Sequence, residues 1–102
     1  MRVVLHSQAT RDVIAAAAWY EQQSEGLGRD FVAAVDESLA NVMRRPATWP
    51  LWPKVKGAEI RRYLLKRFPY AIGYEIRPSE ILVIVVAHTK RRPQFWRRRS
   101  SG

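Results

Sequence analysis

Seven consecutive residues near the C-terminus, Ile81-Leu82-Val83-Ile84-Val85-Val86-Ala87, carry no polar side chain, and five of them are β-branched. β-Branching favours the extended chain, and an unbroken apolar run has no face to offer water. Such a segment reads as a strand covered on both sides. The spacing puts Val83 and Val85 on one face of this strand and Ile84 and Val86 on the other. The chain has 102 residues, is 47% hydrophobic and 26% charged, and so has material for one modest core. Whatever covers the strand must come from the residues before it and from the short segment after it.

The preceding residues supply a helical layer. Val3-Val4-Leu5 is a short β-prone run, and Ser7 stands where a helix N-cap belongs. Ala9, Val13, Ala16, Ala17 and Tyr20 then recur at helical spacing, and the Ala15–Ala18 run lets another element approach closely. Gly26-Leu27-Gly28 breaks the helix. A second helix starts near Gly28, aligns Phe31, Val35, Leu39 and Val42, and must stop before Pro46. Two amphipathic helices joined by a glycine turn predict an antiparallel hairpin.

The period then changes. Pro46, Pro50, Pro53 and Gly57 mark a loop that carries Trp49 and Trp52 as packing anchors. Ile60 to Phe68 reads as a strand ended by Pro69, and Tyr70, Ile72, Tyr74 and Ile76 alternate as a half-buried strand. Arg77-Pro78-Ser79 turns into the apolar strand. The expected fold is α+β in the order β-α-α-β-β-β. An antiparallel sheet packs against an N-terminal helical hairpin, with a basic C-terminal tail, in a single domain over residues 1–102.

Charge is distributed unevenly. Residues 1–50 hold five basic and six acidic side chains, a net of −1, whereas residues 51–102 hold thirteen and three, a net of +10. A field confined to one half points to a polyanion or an acidic protein as partner. The absence of cysteine excludes disulfides, thiol catalysis and cysteine-based metal sites. His6 and His88 have no metal-ligand spacing, so neither metal nor cofactor is expected. No apolar run approaches the roughly 20 residues that cross a bilayer, and the expected location is cytoplasmic.

What remains is a constellation of cations and aromatics. Arg61, Arg62, Lys66 and Arg67 bracket Tyr63; His88 is followed by Lys90, Arg91 and Arg92, then Phe95 and Trp96, then Arg97, Arg98 and Arg99. These side chains suit a phosphate backbone with stacked bases, and equally an acidic peptide with apolar anchors. The tail reads as a docking arm, so removing everything after Pro93 is expected to leave every strand intact.

Ala9, Asp12, Trp19-Tyr20-Glu21, Gly26-Leu27-Gly28 and Phe31 are similar to the first half of the RelE/ParE superfamily of toxin–antitoxin toxins. Arg61-Arg62-Tyr63-Leu64-Leu65, Phe68-Pro69-Tyr70-Ala71-Ile72, Tyr74, His88, Arg91-Arg92-Pro93, Trp96 and Arg98 extend the resemblance over nearly the whole chain. It implies a small proteic toxin in a toxin–antitoxin hetero-oligomer, neutralised by an acidic-tailed antitoxin. Two activities share the fold. The RelE branch cleaves mRNA on the ribosome, which needs groups to move protons at the 2′-OH and the 5′-oxygen and cations for the phosphate. The ParE branch, of the plasmid-stabilisation type, arrests growth by inhibiting DNA gyrase.

Comparison at matching positions favours ParE. Where the RNase branch has alternating lysines on the second strand, this chain has Arg62 and Leu64; Ala71 follows Tyr70 where an arginine is typical. Trp96 replaces a tail tyrosine, and its indole neither accepts nor releases a proton at neutral pH. The resemblance therefore implies Arg61, Arg62, Lys66, Arg67, Lys90, Arg91, Arg92, Phe95, Trp96, Arg97 and Arg98 as antitoxin- or target-binding residues. The alternative is a ribosome-dependent endoribonuclease using His88, Lys90 and Arg92. A third possibility is a domain of the same fold that binds nucleic acid or protein without toxicity.

Overall fold

The computed structural model describes residues 1–53, 55, 57–91, 96 and 99. Strand β1 (Arg2–Leu5) leads directly into helix α1 (Ser7–Gln23), and α2 (Leu27–Arg44) returns beside it. A 3-10 turn (Pro46–Thr48) opens the long connection to β2 (Arg61–Leu64), which is followed by β3 (Tyr70–Ile76) and β4 (Glu80–His88). The sheet order is β1-β4-β3-β2. The apolar run is thereby an inner strand, with a neighbour on each edge and a layer on each face.

The meander β2–β3–β4 is antiparallel as expected, but β1 pairs with β4 in parallel, giving a mixed sheet. The connection from Arg45 to Ile60 carries the chain back along the sheet, so β2 starts where β1 starts. Two reversals later β4 again runs in the direction of β1. The Ser7 cap is also corrected. The His6 N–H donates to the Val83 carbonyl at 2.8 Å, ending β1, and His6 Nδ1 accepts from the Gln8 N–H at 3.1 Å. One residue both finishes the strand and caps the helix, so no loop separates them.

The hairpin is closed by Glu21 of α1. Its two carboxylate oxygens accept the Gly26 and Gly28 N–H groups, each at 3.0 Å, which serves donors that α2 leaves unpaired at its start. These bonds favour the ionised carboxylate and hold the Glu21 pKa below the usual range. Gly26 turns the chain at φ +85°. Gly28 lets the helices close: a Cβ there would lie 2.5 Å from the Ala17 carbonyl oxygen.

Two cores flank the sheet. On the helix side, Tyr20, Phe31, Phe68 and Tyr70 form an aromatic box with neighbouring ring centroids 4.9–5.3 Å apart for Tyr20–Phe68, Phe31–Phe68, Phe31–Tyr70 and Tyr20–Phe31. Leu65 and Phe68 belong to this core although β2 ends at Leu64 rather than Phe68. The Leu65 N–H bonds to the Tyr70 carbonyl and the Tyr70 N–H to the Phe68 carbonyl, so the apolar residues after β2 anchor a tight turn. On the far side, Trp52, Ile60, Ala71, Ile84, Val85, Ala87 and Trp96 pack together. β3 is therefore covered on both faces from Ala71 to Tyr74, not half-buried.

The expected faces of β4 are corrected by a bulge. Tyr74 pairs with Val83 while Gly73 pairs with Val85, which leaves Ile84 as the extra residue. Ile81, Val83 and Val86 consequently face the helices, and Ile84, Val85 and Ala87 face away. One inserted residue reverses the alternation beyond it. Gly73 accommodates this face: a Cβ would meet Val85 Cγ1 at 2.8 Å and the Trp52 ring at 3.1 Å.

The reading of the tail as a separable arm also fails. Trp96 is 1% exposed and packs 4.8 Å from Trp52, closing the far-side core. Arg99 donates to Asp12 Oδ2 at 2.8 Å and to the Ile84 carbonyl at 3.1 Å, and the same Asp12 oxygen accepts the Val86 N–H. β1 has ended by this point, so α1 and the tail together serve the edge of β4 that no strand covers. Cutting the chain after Pro93 removes both Trp96 and Arg99.

Candidate functional site

The segment after α2 is fastened to the sheet by backbone pairing. The Arg62 N–H donates to the Pro50 carbonyl at 2.8 Å, the Trp52 N–H donates to the Ile60 carbonyl at 2.7 Å, and Leu51 bridges Arg61. Residues 50–52 thus cover much of the outer edge of β2. Two side chains brace the same segment: Arg61 Nη1 donates to the Trp49 carbonyl at 2.6 Å, and the Tyr74 hydroxyl donates to the Pro46 carbonyl. Burial pushes the Tyr74 phenol up to about 12, against a smaller opposing pull from Arg61, so it stays a donor throughout the physiological range.

This bracing opens a trough between α2 and β2. Its main hollow, about 450 Å³, is lined by Asn41, Arg44, Arg45, Thr48, Trp49, Tyr63 and Lys66. Tyr63 and Lys66 continue inward past Ser38 and outward past Pro50, Arg62 and Leu64 into a further 250 Å³. Trp49 stands edge-on to Tyr63 with centroids 4.8 Å apart. Asn41 Nδ2 donates to the Tyr63 hydroxyl at 2.9 Å, and Arg44 donates to Asn41 Oδ1. Tyr63 is thereby held by α2, and Arg44 is held by Asn41. The floor is aromatic and the rim is cationic.

A second hollow of about 250 Å³ lies between α1 and the end of β4, bordered by Asp12, Trp19, Tyr70, His88 and Arg91. His88 Nδ1 accepts the Lys90 N–H at 3.1 Å, and its ring stands 5.4 Å from that of Tyr70. Burial pushes the Tyr70 hydroxyl up, with smaller opposing and reinforcing charges around it. Trp19 leaves an exposed indole on the wall.

Among the described residues, the expected binding residues divide between the trough, the second hollow and the far-side core. Lys66 and Arg62 reach the trough, Arg62 with its guanidinium also 5.7 Å from the Trp52 ring centre. Arg61 is turned inward as a brace, and Arg67, over Phe68 and within 3.9 Å of Asp30, lines the inner end of the trough. Lys90 is exposed and Arg91 borders the second hollow. Trp96 is buried, while Arg92, Phe95, Arg97 and Arg98 lie outside the described residues. The sequence reading did not select Arg44, Arg45 or Asn41, because they belong to the half of the chain with no net positive charge. The available signal was the Arg44-Arg45 pair immediately before Pro46, where a helix must end. Among the described residues no group of three potential metal ligands comes together, and no helix is long and apolar enough to cross a membrane.

A two-helix hairpin on a four-stranded mixed sheet defines a small α+β class also seen in a solved structure described as the chromosomal ParDE toxin–antitoxin system from P. aeruginosa. The TM-score is 0.72 at 17% identity, covering 86% of this chain and 95% of that one, a likeness of fold. Residues 3–93 match the family of ParE toxins of type II toxin–antitoxin systems (parDE), and the chain belongs to that family. No match was found among curated protein sequences.

Proposed function

We propose that the protein is the growth-arresting toxin of its module, that it acts in the cytoplasm by docking on DNA gyrase, and that an acidic antitoxin neutralises it. Family membership supports the toxin role. The observation that carries binding over RNA cleavage is the fate of two positions that an RNase of this fold uses. Ala71, next to Tyr70, is fully buried on the far side of the sheet, and Trp96 is buried against Trp52. Neither position presents a cation or a transferable proton at the surface.

One arrangement favours the second reading, a ribosome-dependent endoribonuclease. His88 borders an open hollow beside Tyr70 and Arg91, where an imidazole could exchange protons with a bound substrate. Expression of wild type and His88→Ala in the same host separates the two. Gyrase-dependent DNA breaks that persist within about threefold in the variant are expected. Ribosome-bound mRNA cleavage that falls by about 10²–10⁴ in His88→Ala, without DNA breaks, would overturn the gyrase reading.

A further inference from the structure

We propose that the outer face of α1 is where a second copy of this chain docks, as an antiparallel two-fold pair in which Trp19 of each copy enters the hollow between α1 and β4 of the other. The pairing is a property of the free chain and holds whatever its target.

Helical spacing puts Arg11, Ile14, Ala15, Ala18, Trp19 and Gln22 on one side of α1, turned away from the buried Ala9 and Ala16. All six are exposed. Ile14 is 63% exposed and Trp19 56%, more than any other large apolar side chain of the two helices. An indole left in water forgoes the burial that so large a ring would gain.

The hollow beside this face supplies the counterpart. It measures about 250 Å³, and the small side chains Ala15, Ala16 and Ala87 leave it room for a ring. When the two-fold axis passes between positions 16 and 17, Trp19 of one copy lies opposite Ile14 and Ala15 of the other. Such an axis is perpendicular to the helix pair, so Trp19 and the other copy's hollow fall on the same side. A large ring meets small residues, and the contact is made twice.

Charge selects the occupant. Arg11 stands at one end of the face and Glu25 at the other, and among the described residues neither forms an ion pair within the chain. The same register brings Arg11 of one copy beside Gln22 and, a turn further on, Glu25 of the other. Residues 1–50 carry a net of −1, and the excess positive charge belongs to residues 51–102. Two copies therefore meet through α1 with little repulsion, whereas an acidic segment is drawn to the other half of the chain. One helix crossing with two inserted rings buries on the order of 1,000 Å² in total, at the low end of specific interfaces, so the dimer is expected to be half-formed at roughly 10 μM.

Sedimentation equilibrium of the full chain, from about 1 to about 200 μM near physiological salt, is the test. Thermal melts within a few degrees of wild type verify the fold of each variant. Trp19→Ala, which keeps a strong helix former, is expected to weaken self-association at least tenfold. Arg11→Glu and Glu25→Arg are each expected to weaken it about fivefold, and the double variant to return within about twofold of wild type, because the exchanged charges again stand opposite. A chain that stays monomeric throughout overturns the proposal. So does a dimer that Trp19→Ala leaves unchanged, or a double variant as weak as the single ones. If the chain is monomeric and Trp19→Ala instead loses binding to gyrase or to a growth-restoring antitoxin, the face belongs to that partner and the pairing is refuted. Failure of the toxin reading, by contrast, leaves the sedimentation result untouched.

Discussion

Replacing Trp96 by alanine is the sharpest perturbation of the far-side core. The side chain is 1% exposed and packs 4.8 Å from Trp52. Burying an indole removes roughly 150–250 Å² from water, worth about 4–6 kcal/mol at 25 cal/mol per Å². Indole N–H burial reduces that figure: Trp96 Nε1 has no hydrogen-bond partner among the described residues. The expected cost is therefore about 3–5 kcal/mol, the usual range for Trp→Ala in a core. With a urea m-value of about 1.5 kcal/mol/M, the midpoint should fall by about 2–3 M. Far-UV circular dichroism across a urea series measures it. Trp96→Phe, which keeps the ring against Trp52, should lose less than half as much. A midpoint within about 0.5 M of wild type in Trp96→Ala would refute the placement. If growth arrest were abolished at the same time, the residue would be a docking group, as the sequence reading had it.

Asp12→Ala removes the acceptor shared by the Val86 N–H and Arg99, and should cost about 2–4 kcal/mol in a urea melt. A change below about 0.5 kcal/mol would show that the edge of β4 needs no such acceptor. Gly28→Ala brings a Cβ to 2.5 Å from the Ala17 carbonyl and forces the helices apart; a loss of about 1–3 kcal/mol is expected, and an unchanged melt would contradict the close approach. Burial raises the Tyr74 pKa from its ordinary value near 10 to about 12. Above pH 10 the unfolded chain releases this proton more readily than the folded one. The contribution is complete below pH 10 and is lost as pH rises toward 12. Tyr74→Phe should flatten that alkaline loss, and parallel pH–stability curves for the two proteins would count against it.

The inner strand and the helical hairpin were readable because their signals are local. Ile81–Ala87 has one interpretation whatever surrounds it, and Gly26-Leu27-Gly28 between two periodic segments marks a turn. The parallel pairing of β1 was not readable, since four residues carry no direction; direction comes from where the long connection delivers β2. The bulge at Ile84 was hidden because every residue around it is apolar, so polarity does not report the change of face. The tail was misread for a related reason. Trp96 and Arg99 look like a cationic docking arm in sequence, and only the uncovered edge of β4 and the ring of Trp52 give them an internal partner.

The candidate site was half legible. Arg62, Lys66 and Arg67 were selected by their charge and line the trough, yet Arg61, equally charged, is turned onto the Trp49 carbonyl. Adjacent strand residues point to opposite faces, so a run of cations divides its members between roles. Arg44 and Arg45 join the site through the end of α2, a proximity that no count of charge along the chain can express.

The proposed function is that of a gyrase-directed toxin that acts by binding. Its most direct test adds the purified full chain to DNA gyrase, ATP and relaxed plasmid and follows supercoiling by gel electrophoresis. Supercoiling is expected to stop, and linear DNA to accumulate after detergent and protease treatment. His88→Ala should do the same within about threefold. Undiminished supercoiling at saturating protein, together with cleavage of ribosome-bound mRNA by the same preparation, would contradict it.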